Sequence, residues 1–303
     1  LTGALGADFD GYCVTYAGLA VNPIGHRVRI ERKRTFVILD EVHHAGDALS
    51  WGDAVQEACD PAIRRLSLTG TPFRSDDNPI PFVTYAPVGD GSISSVADYS
   101  YGYGSALADG VVRPVLFMAY SGQMQWRTRA GDEAAARLGE PLTRDQAAQA
   151  LRTALDPEGS WILAVLEAAH KRLTEVRRDI ADAGGMVIAS DQESARAYAR
   201  LLADMTGKEP TLVLSDESGS SAKIAEFSKG TSPWLVAVRM VSEGVDVPRL
   251  AVGVYATTVS TPLFFAQAVG RFVRARRRGE TASVFLPSVP GLRYHRNPRN
   301  LGS

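Results

Sequence analysis

The chain has 303 residues, of which 45% are hydrophobic and 22% charged, and its formal net charge is −1. This is the composition of a globular protein of about two domains, and it excludes the class of globally basic nucleic-acid-binding proteins. No apolar run approaches the roughly 18 residues of a membrane span, and two cysteines make neither a disulfide framework nor a zinc site. We therefore expect a cytoplasmic protein with no membrane partner.

The first predicted strand, residues 35–40, runs directly into the pair Asp40-Glu41, within the stretch FVILDEVHHAGD. A parallel strand that ends this way places both carboxylates at the carboxyl edge of the sheet, where open α/β sheets bind ligands. In a nucleotide hydrolase, one such acid holds Mg²⁺ and the other orients the attacking water. A strand that simply enters an acidic, solvated turn explains the residues equally well.

The second predicted strand, residues 64–70, ends in the stretch LSLTGTPFR, in which Thr69 and Thr71 flank Gly70. Gly70 and Pro72 are typical turn residues and need no functional explanation. Two hydroxyl groups at the end of a neighbouring strand are also suited to hydrogen-bonding with the acidic turn.

The middle of the chain differs from its flanks. Residues 124–140 are polar and charged, and residues 142–156 predict a helix with a capping box formed by Thr143 and Gln146. A long helix is predicted over 159–182. We place the domain boundary between about 113 and 158.

The C-terminal half alternates short apolar strands with helices. Most of the strands are apolar at consecutive positions, which is typical of parallel sheets covered by helices on both faces. This βαβ rhythm predicts a doubly wound α/β fold. The predicted strands are 184–190, 211–216, 234–240, 250–257 and 282–287, and the helices between them include 193–205 and 220–230.

Two further motifs follow in this half. In MVSEGVDVPRL, Gly244 breaks a strand and Asp246 follows, although a simple turn explains both. In QAVGRFVRARRR, Arg271 and Arg274 lie three residues apart, which on a helix predicts one face. Two guanidinium groups so placed suit a phosphate, whereas the neighbouring arginines 276–278 are equally typical of a solvated surface.

The ordered set DExH, TGTP, EGxDxP and QxxGRxxR resembles motifs II, III, V and VI of superfamily two helicases. It is most similar to the DExH branch of DEAD/DEAH-box proteins that includes type III restriction motors and XPB-like repair helicases. The resemblance implies two RecA-like parallel-sheet domains of the α/β class, the first incomplete. On this reading residues 1–112 are a partial first domain, 113–158 a linker or insert, and 159–303 the second domain.

The resemblance implies roles for the N-terminal motifs. Asp40 would coordinate Mg²⁺, and Glu41 would be the general base or position the water. His43 would couple the ATP site to the neighbouring motifs, and Thr69 and Thr71 would link hydrolysis to domain movement.

It also implies roles for the C-terminal motifs. Gly244 and Asp246 would lie near the nucleotide, and Gln267 would bridge towards the ATP site. Arg271 and Arg274 would be arginine fingers that stabilise transition-state charge.

The expected cofactors are ATP and Mg²⁺, and the expected partner is nucleic acid, DNA more than RNA. Thr15, in the Thr-Tyr element of VTYAGL, and Ser190, at a strand end, would contact the nucleic-acid backbone. A Ser or Thr at either position is also a common cap.

One element of the family pattern is missing, because no G-x-x-x-x-G-K-[ST] phosphate loop occurs in the sequence. The Gly207-Lys208 pair is followed by Glu209 and follows a predicted helix. We therefore expect an N-terminally truncated chain, inactive alone, whose parent carries the loop and further domains. The alternatives are a duplex DNA translocase of a restriction or remodelling system, and a non-catalytic helicase-like binding module.

Overall fold

A computed structural model shows the fold, and the chain divides into two compact units, Leu1–Ser100 (unit 1) and Tyr101–Ser303 (unit 2). Among the described residues, no helix is both long enough and apolar enough to cross a membrane. The structure describes residues 9–46, 49–70, 79–87, 93–127, 133–214, 219–238 and 247–288.

Unit 1 begins with two short helices whose starts follow from local chemistry. The Thr15 hydroxyl caps α1, and the Asn22 side chain caps α2, in which Pro23 occupies the first turn. The elements of this unit are α1 (Tyr16–Val21), α2 (Pro23–Glu31), β1 (Phe36–Leu39), a 3-10 helix (Val42–Gly46), α3 (Leu49–Cys59), β2 (Arg64–Ser67), β3 (Thr84–Pro87) and β4 (Ile93–Val96).

Strands β1 and β2 pair in parallel, with Leu39 opposite Ser67. Leu39 is buried in the core of unit 1, but Phe36 and Ile38 are 57% and 58% exposed. Alternate side chains of β1 therefore point away from the core of unit 1, although its sequence is apolar at consecutive positions. Strands β3 and β4 form a separate antiparallel hairpin.

Unit 2 is built around a parallel sheet. Its elements are α4 (Tyr103–Ala108), β5 (Val115–Tyr120), β6 (Gly122–Arg127), β7 (Glu133–Leu138), α5 (Arg144–Ala154), α6 (Ser160–Asp179), β8 (Gly184–Ala189), α7 (Gln192–Thr206), β9 (Thr211–Val213), α8 (Ser220–Lys229), β10 (Trp234–Val238), β11 (Leu250–Ala256), α9 (Pro262–Gly270) and β12 (Ala282–Pro287). Among the described residues, six strands pair in parallel in the order β5-β12-β11-β8-β10-β9.

Within the described residues, the strands predicted in the C-terminal half are confirmed, although β9 is shorter than predicted and ends at Val213. Every residue of β8, β10, β11 and β12 is buried, which explains their unbroken apolar sequences. Helices α6 and α7 pack apolar faces onto this core, and the capping box of Thr143 and Gln146 is present at the start of α5. The mixed α/β architecture with a parallel sheet agrees with the predicted fold class.

The boundary between the units differs from the predicted one. The units separate after Ser100, and the range 113–158 contributes β5, the antiparallel hairpin β6–β7 and α5 to unit 2. Strand β5 pairs with β12 along its whole length, from Val115 opposite Ala282 to Tyr120 opposite Pro287. A range predicted as a linker or insert therefore supplies an edge strand of the main sheet.

Candidate functional site

The acids that follow β1 are held beside the end of β2. The Leu68 amide donates to the Leu39 carbonyl at 2.9 Å, and the Val42 amide donates to the Leu68 carbonyl at 3.0 Å. These bonds continue the strand pairing on either side of Asp40 and Glu41, whose side chains are exposed. Both carboxylates therefore lie at the carboxyl edge of this parallel pair, as predicted.

Glu41 has a left-handed backbone conformation. Its φ is +46°, and the only other non-glycine residue with positive φ in the described ranges is Phe82. The Glu41 amide donates to Asp40 Oδ1 at 3.1 Å, and its carbonyl accepts from the His44 amide at 2.9 Å. Such a conformation costs roughly 1–3 kcal/mol and is concentrated at functional sites in proteins.

His43 connects the acidic turn to the second motif. Its Nδ1 lies 2.8 Å from the Thr69 hydroxyl, which follows β2, and 3.4 Å from Glu41 Oε2. The imidazole is only 3% exposed and lies against His44, with ring centroids 3.9 Å apart and ring planes tilted by 48°. The structure thus brings Asp40, Glu41, His43 and Thr69 together in unit 1.

Tyr16 is a member of this cluster that the motif assignment missed. Its hydroxyl donates to the Asp40 carbonyl at 2.7 Å. Burial, and then the charge of Asp40, raise the pKa of Tyr16 to about 12, so the phenol keeps its proton near neutrality. The signal was present in the Thr-Tyr element, but the prediction named only Thr15, whose hydroxyl accepts the Gly18 amide as a helix cap.

In unit 2, Ser190 follows β8 at the carboxyl edge of the sheet. Its hydroxyl accepts the amide of Thr258, which lies just beyond β11, at 3.1 Å. Gln267 lies in α9 and is half-buried. The predicted contact of Ser190 with nucleic acid and the predicted role of Gln267 stay predictions.

The prediction that Arg271 and Arg274 share a helix face is wrong. Helix α9 ends at Gly270, Arg271 is its C-cap, and Arg274 lies in an isolated antiparallel bridge with Val112. The chain leaves the helix because the carbonyls of Phe272 and Val273 accept hydrogen bonds from Arg113 and not from amides further along the helix. Arg271 is half-buried and Arg274 is exposed.

Three of the predicted site residues, Thr71, Gly244 and Asp246, lie outside the described residues. Their assigned roles stay predictions.

The residues beside β1 fit a magnesium ion that is held mainly by other ligands. Within the described ranges, no group of three or more His, Cys, Asp or Glu side chains could hold a metal. Magnesium usually keeps several waters and binds to one or two carboxylates together with substrate phosphates. Asp40, an exposed carboxylate at a sheet edge, is compatible with that mode and not with a cage made of protein ligands alone.

The comparison with curated proteins gives a close relative without an assigned activity. The uncharacterized protein Rv2917 of Mycobacterium tuberculosis is 66% identical over 285 residues, which cover 94% of this chain and 47% of that protein. The chain thus spans about half the length of the curated relatives it matches. No model of a known protein family matches the chain.

The comparison with solved structures identifies the fold. A fragment assigned to the HsdR subunit of a type I restriction enzyme from Vibrio vulnificus is similar with a TM-score of 0.55 and 21% identity, over 88% of this chain and 46% of that one. The ATP-dependent Type ISP restriction-modification enzyme LlaBIII, bound to DNA, is similar with a TM-score of 0.51 and 16% identity, over 90% of this chain and 19% of that one.

The chain has a helicase-like fold. Asp40 and Thr69 follow β1 and β2, so they lie at the carboxyl edge of the parallel pair in unit 1. Ser190 follows β8, at the carboxyl edge of the separate sheet of unit 2.

Proposed function

We propose that this chain is part of an ATP-dependent nucleic-acid motor, a helicase or translocase that acts on DNA rather than RNA. The observation that carries the proposal is the acidic turn after β1. There one acid of the pair, Glu41, has a left-handed backbone and lies 3.4 Å from Nδ1 of the buried His43, and the same nitrogen lies 2.8 Å from the hydroxyl of Thr69 at the end of the neighbouring strand. A solvated acidic turn needs neither the strain nor the buried imidazole.

The cluster supports a division of labour between the two acids. Asp40 would hold Mg²⁺, which supplies charge neutralisation for the ATP phosphates, and Tyr16 fixes the Asp40 backbone through its carbonyl. Glu41 would orient the attacking water and accept its proton at a carboxylate oxygen. His43, which is within 3.4 Å of Glu41 Oε2 and 2.8 Å of the Thr69 hydroxyl, would transmit changes at the acid to the second motif.

Residues of unit 2 are assigned to the same reaction by the motif series alone. Arg271 and Arg274 would stabilise the charge that develops on the transferred phosphoryl group. Gln267, Gly244 and Asp246 would contribute to nucleotide binding.

The sequence lacks a phosphate loop, so the 303 residues by themselves are expected to bind ATP weakly. A non-catalytic helicase-like binding module is the alternative if the full-length gene product also lacks the loop.

A duplex DNA translocase is a second candidate function, and a specific observation favours it. Both similar structures described above are restriction enzymes, and one is named as ATP-dependent and bound to DNA. Such a motor would move along the duplex without separating its strands. Displacement of a triplex-forming strand, without displacement of a duplex strand, is the expected result for this alternative.

The test is ATP hydrolysis by the full-length gene product that contains residues 1–303, with and without DNA or RNA. We expect hydrolysis that DNA stimulates, and its loss in Glu41→Gln and in Arg271→Ala. Matched controls are Glu31→Gln, an exposed acid of the same unit that is paired with Arg27, and Arg278→Ala, an exposed arginine near Arg271. Unchanged rates in Glu41→Gln and Arg271→Ala would contradict the assignment.

A further inference from the structure

Arg113 is a buried arginine that no motif includes. It is 2% exposed and precedes β5. Its Nε donates to the Phe272 carbonyl at 2.9 Å, and its Nη1 donates to Glu280 Oε2 at 3.1 Å. Its Nη2 donates to the carbonyl of Leu250, the first residue of β11. One guanidinium group therefore joins three segments of unit 2.

The main chain around Arg113 holds the same region. The Arg113 amide donates to the Val273 carbonyl at 2.7 Å, and Val112 forms a bridge with Arg274. The Arg113 carbonyl accepts from the Tyr103 hydroxyl at 3.1 Å. The carbonyls of the two residues between Arg271 and Arg274 thus bond to this single residue, through its side chain and its amide.

Glu280 completes the attachment from the other side. Its side chain is 4% exposed, and Oε2 accepts from Arg113 and also from the Arg276 amide at 3.1 Å. The segment 271–276 is therefore held near its start by Arg113 and at its end by Glu280. This explains why the chain leaves α9 and follows a fixed, non-helical path.

Hydrophobic packing alone would be a simpler way to hold this segment. A buried ion pair is often no more stabilising than well-packed apolar residues, because each charge must be removed from water. Its advantage is geometric, since the planar guanidinium binds several acceptors in fixed directions. The pair therefore suits a segment whose position matters more than its contribution to stability.

We propose that Arg113 and Glu280 are positioning residues that hold segment 271–276 so that Arg271 and Arg274 are correctly placed for ATP hydrolysis. The inference rests on the proposed function. Neither residue contacts nucleotide in this proposal, and both act through the backbone of the arginine segment.

The first test needs no variant. Hydrogen exchange of the wild-type full-length gene product should show the Phe272 and Arg276 amides, which donate to the Val269 carbonyl and to Glu280, protected like those of β12. Exchange as fast as in an open loop would overturn the proposal, because the segment would then not be held.

The second test compares variants of the same protein. Arg113→Lys keeps the positive charge but loses the planar guanidinium with its fixed donor directions. The double variant Arg113→Met with Glu280→Gln removes the ion pair without leaving a lone buried charge, so it is expected to fold. The matched control is Arg177→Lys. Arg177 is a half-buried arginine that donates to the carbonyls of Ala183 and Thr231, neither of which belongs to segment 271–276.

We expect kcat to fall about 100-fold in both pair variants with an unchanged KM for ATP, because misplacement by about 1 Å costs about that factor. Exchange in 271–276 should quicken, and Arg177→Lys should keep the wild-type kcat. Folded pair variants with wild-type kcat would overturn the positioning role alone. A wild-type protein that hydrolyses no ATP would overturn the proposed function, and this inference with it.

Discussion

Gly253 occupies a position in β11 where a side chain has no room. A Cβ at this residue would lie 2.5 Å from Cζ of Phe272 and within 3.0 Å of both Cε atoms of that ring. Ordinary contact begins near 3.4 Å, so the ring would have to withdraw by about 0.9 Å. Phe272 is 1% exposed, and its carbonyl bonds to Arg113, so the ring cannot move freely.

The variant Gly253→Ala should therefore destabilise unit 2. Inserting a methyl group into a packed core costs about 1–3 kcal/mol of unfolding free energy. For a unit of this size each kcal/mol corresponds to a fall in Tm of roughly 2–4 °C. Because Phe272 directly follows Arg271, the same displacement should lower kcat for ATP in the full-length gene product.

The assay is urea denaturation of the chain followed by circular dichroism, with the Tm measured in parallel. Gly104→Ala is the matched control, because a Cβ there meets no atom within 4 Å. The double variant Gly253→Ala with Phe272→Leu should recover part of the lost stability, since the shorter side chain removes the clash. A Gly253→Ala protein as stable as the wild type, with an unchanged m value, would refute the packing described here.

Three other perturbations follow from the structure. Arg249→Met should lower the unfolding free energy by at least about 3 kcal/mol, measured in urea, because each nitrogen of that buried guanidinium bonds a carbonyl oxygen that would lose its partner. Burial lowers the pKa of His170, whose Nδ1 accepts the Trp234 indole N–H. The unfolding free energy that depends on neutral His170 should therefore be complete above pH 6.5, the ordinary pKa of the group, and should be lost as the pH falls through the lowered pKa of the folded protein. His170→Gln should flatten the dependence of the urea midpoint on pH. Glu41→Gly should raise the stability of unit 1 by about 1 kcal/mol, by thermal unfolding, while abolishing ATP hydrolysis, since glycine adopts a positive φ without strain.

Each of these predictions has a contradicting result. A fall in stability for Arg249→Met no larger than for Arg278→Ala, an exposed arginine, would mean that the carbonyls find other partners. An unchanged pH profile in His170→Gln would assign the titration to another group. A Glu41→Gly chain less stable than Glu41→Ala would mean that the left-handed backbone is not strained.

The local sequence decided the identity of most elements. The buried strands of unit 2 were readable because consecutive apolar residues are needed where both faces of a sheet are covered. The capping box at Thr143 was readable because its hydrogen bonds join residues three apart. The acids at positions 40 and 41 were readable as a strand end, which the structure confirms.

Tertiary contacts decided where α9 ends and which residues surround the acids. The helix period predicted one face for Arg271 and Arg274, but Phe272 is bonded to Arg113, which lies 159 residues earlier in the chain. Tyr16 reaches the Asp40 carbonyl across 24 residues, and although both residues lie in predicted motifs, neither local pattern indicated that they touch. Strand β5 was not predicted, because its place in the sheet depends on pairing with β12, the last strand along the chain. Local sequence fixes short-range bonds and periodic faces, whereas these contacts depend on which distant segments the folded sheet brings together.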